Sequence, residues 1–177
     1  MLRYLDVQNI LDKNDLILQE SGCVGSENER GNTYMKKIGI VTDSHSSISQ
    51  EEAEKLGIFV LPMPFYIDGE CYYESVTLSR ELFFEKLAAG ADITTSQPSP
   101  TAVMEIWDKA LEQFEKILYM PISSGLSGSY ETAMMLAKDE AYEGRVLVVD
   151  DGQVAAPLHQ MVLDTLDMIE KGYEAEQ

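Results

Sequence analysis

The 177-residue sequence predicts an α/β fold in which a mostly parallel sheet has helices on both faces. From residue 35 onward, short apolar runs alternate with amphipathic segments, which is the pattern of parallel strands joined by crossover helices. The first run, residues 38–42 (IGIVT), has the continuous apolar character of a strand buried on both faces. Polar loops follow the predicted strands, at the edge of the sheet where such folds bind ligands.

Residues 1–34 differ from the rest of the chain in composition. Within them, residues 21–32 are polar and rich in turn-forming residues, which is typical of a linker. Met35 follows this stretch and directly precedes the first predicted strand. We therefore predict a poorly ordered N-terminal extension over residues 1–34 and a folded domain over residues 35–177, with Met35 as its natural start.

A polar loop at residues 43–47 follows the first predicted strand and leads into a helix. Ser49 and Glu52 form a capping box, which predicts a helix over residues 51–56. A second strand is predicted over residues 59–67, and the two prolines within it indicate an edge position or a break.

The middle of the chain contains a hairpin signal and two further helices. The Asp-Gly pair at residues 68–69 predicts a tight turn, with residues 70–73 as the returning strand. Residues 79–87 are predicted to form a capped amphipathic helix. Residues 94–100 form a loop dense in hydroxyls, whose prolines keep the backbone extended, and residues 102–114 have the apolar face of a helix.

The last third of the chain repeats the strand–loop–helix pattern. A buried strand is predicted over residues 117–120 and a helix over residues 130–138, joined by a loop of serines and glycines. A last strand over residues 145–150 and a final amphipathic helix over residues 159–171 complete the predicted domain.

Three polar loops are expected to converge at the carboxyl edge of the sheet: residues 43–47, residues 94–97 and residues 123–129, here called the Ser/Gly loop. The Ser/Gly loop has the features of an anion site, because small residues admit a ligand close to the backbone and a helix N-terminus favours negative charge. Serine hydroxyls add rotatable donors. Serines that cap the helix and glycines that turn the chain explain the same loop without a ligand.

Composition excludes several classes of partner. The net charge of −18 argues against nucleic acid and against an anionic membrane surface. No apolar run approaches the roughly 20 residues that span a bilayer, so stable membrane insertion is not expected. Cys23 and Cys71 have no metal-ligand or disulfide spacing, and no secretory signal is visible. These observations predict a cytoplasmic protein without a bound metal.

The sequence lacks the pattern of a catalytic site. Residues 125–129 (GLSGS) place serine where a hydrolase elbow requires its last glycine, and no lysine completes a phosphate-binding loop. We interpret His45 and His159 as surface or capping residues, and Asp43 as a cap for the turn after the first strand. The chain is therefore predicted not to be an enzyme.

Methionine is abundant, with nine residues, and flexible thioethers suit a pocket for a long apolar ligand. The candidate pocket residues are Met63, Met104, Met120, Met134 and Met135. For most of them, simple core packing is the favoured interpretation.

Four segments occur in the order and rough spacing of the DegV family: residues 37–44 (KIGIVTDS), 95–99 (TSQPS), 123–130 (SSGLSGSY) and 149–153 (VDDGQ). The resemblance extends over about residues 36–173. The occurrence of both the TSQPS segment and the double-serine segment in one chain is specific for this resemblance. The last segment departs from the family, in which the turn usually begins with aspartate and serine, so any role of Asp151 stays open.

The resemblance implies a bacterial protein of the fatty-acid-binding, EDD-fold type, with no cofactor other than a bound long-chain fatty acid such as palmitate. The acyl chain is then expected in a narrow apolar tunnel. The positions that correspond to the family's carboxylate contacts are Thr95 and Ser124, with Ser96, Ser123 and the Gly125 N–H as neighbours.

The resemblance also implies partners. Some members of the family present the fatty acid to a separate fatty acid kinase subunit. The sequence ends before the second domain that the family resemblance implies, so we expect a surface that is left open to oligomerisation. Two alternatives remain at this point: a phosphotransferase-like domain that binds phosphate at the Ser/Gly loop, and a non-catalytic interaction fragment.

Overall fold

The computed structural model describes residues 36–74 and 76–176. The predictions of a poorly ordered extension over residues 1–34 and of a natural start at Met35 fall outside these residues. Within them, strands and helices alternate as the sequence predicts except between residues 59 and 95, and the α/β fold is confirmed.

A four-stranded parallel sheet forms the centre of the molecule. Its strands are β1 (Lys36–Asp43), β2 (Phe59–Leu61), β6 (Phe114–Met120) and β7 (Val146–Val148), in the order β2-β1-β6-β7. All the pairings are parallel. The carboxyl ends of these strands therefore meet at one edge, which positions the loops that follow them.

In the described part of the chain, five helices accompany the strands, and a 3₁₀ turn (Ser44–Ser46) follows β1 directly. Serine side chains cap three of the helices by accepting a backbone N–H, as the sequence predicts for the first two. The helices are α1 (Gln50–Leu56), α2 (Arg80–Ala88), α3 (Pro100–Gln113), α4 (Ser129–Leu136) and α5 (Ala156–Glu170).

Apolar side chains fill both faces of the parallel sheet. Because successive residues of a strand point to opposite faces, Val41 packs in one cluster and Ile40 in the other. On the first face, the fully buried Trp107 of α3 contacts Tyr119 edge-to-face at a ring distance of 5.4 Å. On the second, Leu158 of α5 is fully buried. The prediction of helices on both faces is confirmed.

A second sheet of three antiparallel strands lies outside this layer, and it corrects two sequence predictions. Residues 59–67 form two strands, because β2 ends at Leu61 and β3 (Pro64–Ile67) joins the second sheet. The proline-rich segment is thus a break. Thr94 and Thr95 belong to β5 (Ile93–Thr95) and not to a loop.

The predicted hairpin joins β3 to β4 (Glu70–Tyr73), and the second sheet has the order β4-β3-β5. Its turn residues Asp68 and Gly69 have positive φ angles of 51° and 81°, as a type I′ turn requires.

Helix α2 begins at its predicted N-cap, Ser79, but buries none of its side chains. Phe84 and Leu87 are 52% and 49% exposed. Phe83 contacts Phe65 of β3 edge-to-face at 5.9 Å. The amphipathic pattern therefore predicts this helix correctly. Its apolar face, however, is not buried against the described residues. None of the helices in the described ranges has the length and hydropathy to cross a membrane.

Candidate functional site

A cleft of about 440 Å³ opens where the three polar segments meet. The 3₁₀ turn after β1 contributes His45, the end of β5 contributes Thr95 and Ser96, and the Ser/Gly loop contributes Ser127 and Gly128. Apolar side chains form the rest of the wall: Met63, Pro64, Phe65, Ile122 and Leu126. The predicted convergence of the loops is confirmed, although the middle segment enters from the antiparallel sheet.

Gln97 connects two of these segments. Its Oε1 accepts a hydrogen bond from Thr132 Oγ1 of α4 at 3.4 Å. A Cβ atom added to Gly128 would lie 3.0 Å from the same oxygen. A glycine at position 128 therefore allows the TSQPS segment to approach the Ser/Gly loop closely, which keeps both sides of the cleft together.

Asp43 fixes the base of the cleft. Its side chain is fully buried at the end of β1. Oδ1 accepts the His45 N–H at 3.0 Å and Oδ2 accepts the Ile122 N–H at 2.8 Å. Asp43 therefore caps the 3₁₀ turn, as the sequence predicts, and also joins the end of β1 to the start of the Ser/Gly segment.

The His45 side chain lies over this buried carboxylate. Its Nδ1 is 3.3 Å from Asp43 Oδ1, within ionic range although not in hydrogen-bond geometry, and a quarter of the side chain is exposed. Burial alone would lower the pKa of His45. Contact with Asp43 and the charges of Asp43 and Glu74 outweigh burial, so the pKa is raised above its ordinary value. The structure thus favours a positively charged imidazolium at the cleft.

The predicted site residues fall into two groups. Thr95 and Ser96 line the cleft and are exposed. The Ser96 hydroxyl donates to the Gln97 carbonyl at 3.1 Å, and the Ser96 N–H donates to the Pro64 carbonyl at 3.4 Å. Both hydroxyls therefore belong to the wall of the cleft.

Ser123, Ser124 and Gly125 are not among the cleft-lining residues. The Ser124 hydroxyl donates to Asp150, whose Oδ1 also accepts the Ser124 N–H at 3.3 Å. Ser123 Oγ accepts the Gly125 N–H at 3.2 Å, and the Ser123 carbonyl accepts the Ser127 N–H at 3.2 Å. This second group thus lies at the base of the loop whose other end lines the cleft.

Two aspartates of the VDDGQ segment border the second group. The hydrogen bonds from Ser124, and a further one from the Gly152 N–H, lower the pKa of Asp150. Asp151 Oδ1 accepts the Gln153 N–H at 2.9 Å, and burial together with the charge of Asp150 raises the pKa of Asp151. This edge of the loop is therefore acidic.

The five candidate methionines differ in burial and in location. Met63 is buried and lines the cleft. Met120 and Met104 pack in or against the core, as the favoured interpretation has it. Met134 and Met135 are 37% and 73% exposed. Among the described residues no cluster of side chains could hold a metal ion, and Cys71 is a free thiol.

Sequence reasoning missed His45, which we interpreted as a surface or capping residue. A usable signal was present, because His45 follows the strand-terminal Asp43 by two residues in a loop at the binding edge. The partnership of Ser124 with Asp150 was also missed, since 26 residues separate the two.

This fold and this cleft define an α/β domain with a polar cleft at the carboxyl edge of a parallel sheet, the edge at which such folds bind ligands. The family model described as an uncharacterised protein of the DegV family matches residues 37–177, so the chain belongs to the DegV family.

Two curated relatives illustrate the family. A DegV domain-containing protein of Caldanaerobacter subterraneus is 34% identical over 143 residues, which are 81% of this chain and 51% of that protein. A DegV domain-containing 15.5 kDa protein of Staphylococcus aureus is 29% identical over 135 residues, 76% of this chain and 95% of that protein. The chain thus spans about half the length of the longer curated relatives that it matches.

Solved structures of family members have the same fold. A fatty-acid-binding DegV family protein of Thermus thermophilus is 33% identical with a TM-score of 0.72, covering 79% of this chain and 50% of that one. A stearic-acid-binding protein of Eubacterium ventriosum is 26% identical with a TM-score of 0.69, covering 81% of this chain and 50% of that one.

Proposed function

We propose that this chain binds a long-chain fatty acid and holds its carboxylate at the cleft. Thr95 and Ser124 are the proposed hydroxyl donors, with Ser96, Ser123 and the Gly125 N–H as neighbours. The observation that carries the proposal is the cleft itself, in which hydroxyls and an imidazole face an apolar wall. Its support from outside the chain is that family members of the same fold are fatty-acid-binding proteins.

The apolar wall offers a path for the acyl chain. Met63 and Ile122 are buried at the back of the cleft, while Leu126 is 65% exposed at its mouth. An acyl chain that lies over Leu126 removes both its own CH₂ groups and the Leu126 side chain from water. Each buried CH₂ group favours binding by roughly 0.8 kcal/mol. In this proposal the wall is one side of an apolar tunnel, and affinity increases with chain length.

Ser124 reaches the ligand only by changing its partner. A serine hydroxyl has one proton to donate, and in this structure that proton points to Asp150. We propose that rotation about χ1 moves the hydroxyl from Asp150 to the ligand carboxylate. Asp150 is exposed, so water then satisfies its carboxylate at little cost.

The chain is proposed to present its ligand and not to transform it. The cleft is open to solvent, so a carboxylate held there is accessible to a second protein, such as a cytoplasmic fatty acid kinase subunit that phosphorylates it. The exposed apolar side chains of α2, Phe84 and Leu87, offer a surface for such a partner or for self-association.

Native mass spectrometry of the freshly purified 177-residue protein, followed by lipid extraction, tests the ligand class. We expect an added mass equal to a fatty acid of about 16–18 carbons, a chain long enough to bury a dozen or more CH₂ groups. A protein that carries no lipid and takes up none from a fatty acid mixture contradicts the proposal.

A further inference from the structure

Among the described residues that line the cleft, His45 has the one titratable side chain. The other lining residues have neutral hydroxyls, one amide, one proline, one glycine and apolar side chains, whereas His45 has an imidazole. The protein as a whole carries a net charge of −18. Within the described lining, the one group that can offer positive charge to an anionic head group is therefore the imidazole of His45.

The imidazole is held in place from below. Two backbone N–H groups, those of His45 and Ile122, fix the fully buried Asp43 carboxylate. Asp43 Oδ1 thereby lies 3.3 Å from Nδ1 of His45. With Nδ1 turned towards Asp43, the nitrogen left for a ligand is Nε2, which carries a proton in the imidazolium form.

The surrounding charges favour that form. Asp43 lies beneath the ring, and Glu74 lies beyond β4, where its Oε2 accepts the Ser44 hydroxyl at 2.8 Å. Asp151 adds negative charge near Asp43. At the N-terminal end of α5, the Ala155 N–H donates to the His45 carbonyl at 2.7 Å, a contact that brings no charge to the ring.

We propose that His45, held on Asp43, donates a charged hydrogen bond from Nε2 to the carboxylate of the bound fatty acid. This inference rests on the proposed function and adds to it the group that distinguishes an acid from a neutral lipid. The hydroxyls of Thr95 and Ser96 accept or donate to either head group, whereas an imidazolium selects the anion.

The side chain can be replaced without removing the turn. His45 contributes its N–H to Asp43 and its carbonyl to Ala155 through the backbone alone. A His45→Gln variant keeps both of these backbone bonds, replaces the imidazole by a neutral amide and so removes the charge. His45→Lys keeps a positive charge at every pH of interest and serves as the rescue variant.

The test compares laurate with 1-dodecanol by isothermal titration calorimetry at pH 6.0 and pH 8.5, using the full 177-residue chain. We expect the affinity of the unmodified protein for laurate to fall about tenfold as the pH rises, because loss of the imidazolium removes a charged hydrogen bond. Its affinity for dodecanol is expected to stay constant. At pH 6.0, His45→Gln is expected to bind laurate about tenfold more weakly, with no pH dependence, and His45→Lys to bind it tightly at both pH values.

His159→Gln is the matched control. His159 lies outside the cleft, on α5, where its Nε2 is 3.1 Å from Glu52 Oε1. Its replacement is expected to leave both affinities and the pH dependence unchanged. Laurate binding that is equal at both pH values and unaffected by His45→Gln overturns this inference and leaves fatty-acid binding standing. An unmodified protein that binds neither laurate nor dodecanol overturns both.

Discussion

Two aspartates lie at the carboxyl ends of parallel strands, at the same edge of this sheet, and they differ in burial and in hydrogen-bond partners. Asp43 at the end of β1 is fully buried and accepts two backbone N–H groups. Asp150, beyond β7, is exposed and accepts the Ser124 hydroxyl together with the N–H groups of Ser124 and Gly152. One carboxylate belongs to the scaffold, and the other is free to exchange its partners with water or with a ligand.

The difference follows from where each carboxylate lies in the sheet. β1 is an inner strand between β2 and β6, so the side chain at its end is covered by neighbours on both sides. β7 is an edge strand, and the residues after it face solvent. The same residue type at the same kind of position therefore supports the site in one case and competes for it in the other.

Removing the buried carboxylate is expected to have the largest effect. Asp43→Ala leaves the N–H groups of His45 and Ile122 without their partner, at a cost of about 2–4 kcal/mol in the free energy of unfolding. Asp150→Ala removes the acceptor of the Ser124 and Gly152 N–H groups, but water can replace it at this exposed position. The cost in the free energy of unfolding is therefore expected to stay within about 0.5 kcal/mol. Urea denaturation followed by circular dichroism measures both. Equal costs for the two variants contradict the division between scaffold and exchangeable carboxylate.

Removing a hydroxyl donor of the proposed site is expected to have the second-largest effect. Thr95→Ala and Ser124→Ala should each weaken laurate binding by about 1–3 kcal/mol, because the ligand carboxylate loses a hydrogen-bond donor. Calorimetric titration at pH 6.0 measures the loss.

Thr94→Ala provides the control for this pair. Thr94 lies in the same strand, pairs with Tyr66 and is exposed, but it points to the opposite side from Thr95 and does not line the cleft. Its laurate affinity should match that of the unmodified protein. Unchanged affinity in both site variants removes Thr95 and Ser124 from the proposed site.

The sequence predicts the parallel layer well because its signals are local and strong. The continuous apolar run of β1, the serine caps and the helical period of α3 each specify an element without reference to the rest of the chain. The antiparallel sheet is harder to predict. β5 is a run of three residues, partly to fully exposed, and only its pairing with β3 makes it a strand.

The site is predictable in place but not in its contacts. Parallel strands bring their following loops to one edge, which is why the segments containing Thr95 and Ser124 were expected to be neighbours. Which side chains face the cleft depends on contacts between distant residues, such as Asp43 with Ile122 across 79 positions. Asp150 acquires its role from such a contact with Ser124, so its role is not visible in local sequence. The partner of His45, by contrast, lies only two residues away at Asp43, and that spacing is a local signal.

Neutralising the exposed carboxylate is expected to have a smaller effect and the opposite sign. Asp150→Asn removes a negative charge beside Ser124 and weakens the acceptor that holds the Ser124 hydroxyl. Laurate affinity is expected to increase about threefold, the scale of a solvent-screened charge interaction. Dodecanol affinity should not change, since no carboxylate is present to be repelled. Weaker laurate binding in Asp150→Asn identifies Asp150 as a positioning residue for Ser124 and not as its competitor.

The smallest expected effect is a pH dependence of stability that arises from the contact between the buried Asp43 and His45. The pKa of His45 is higher in the folded state than in the unfolded state. The Asp43–His45 interaction therefore stabilises the folded state fully at pH values below the unfolded-state pKa, and this stabilisation is lost as the pH rises through the folded-state pKa. The free energy of unfolding of the unmodified protein should therefore fall between pH 6.0 and 8.5, and the fall should be smaller in His45→Gln. Urea midpoints at the two pH values measure the difference. A fall of equal size in both proteins assigns it to other groups, and then the ion pair on Asp43 does not stabilise the fold.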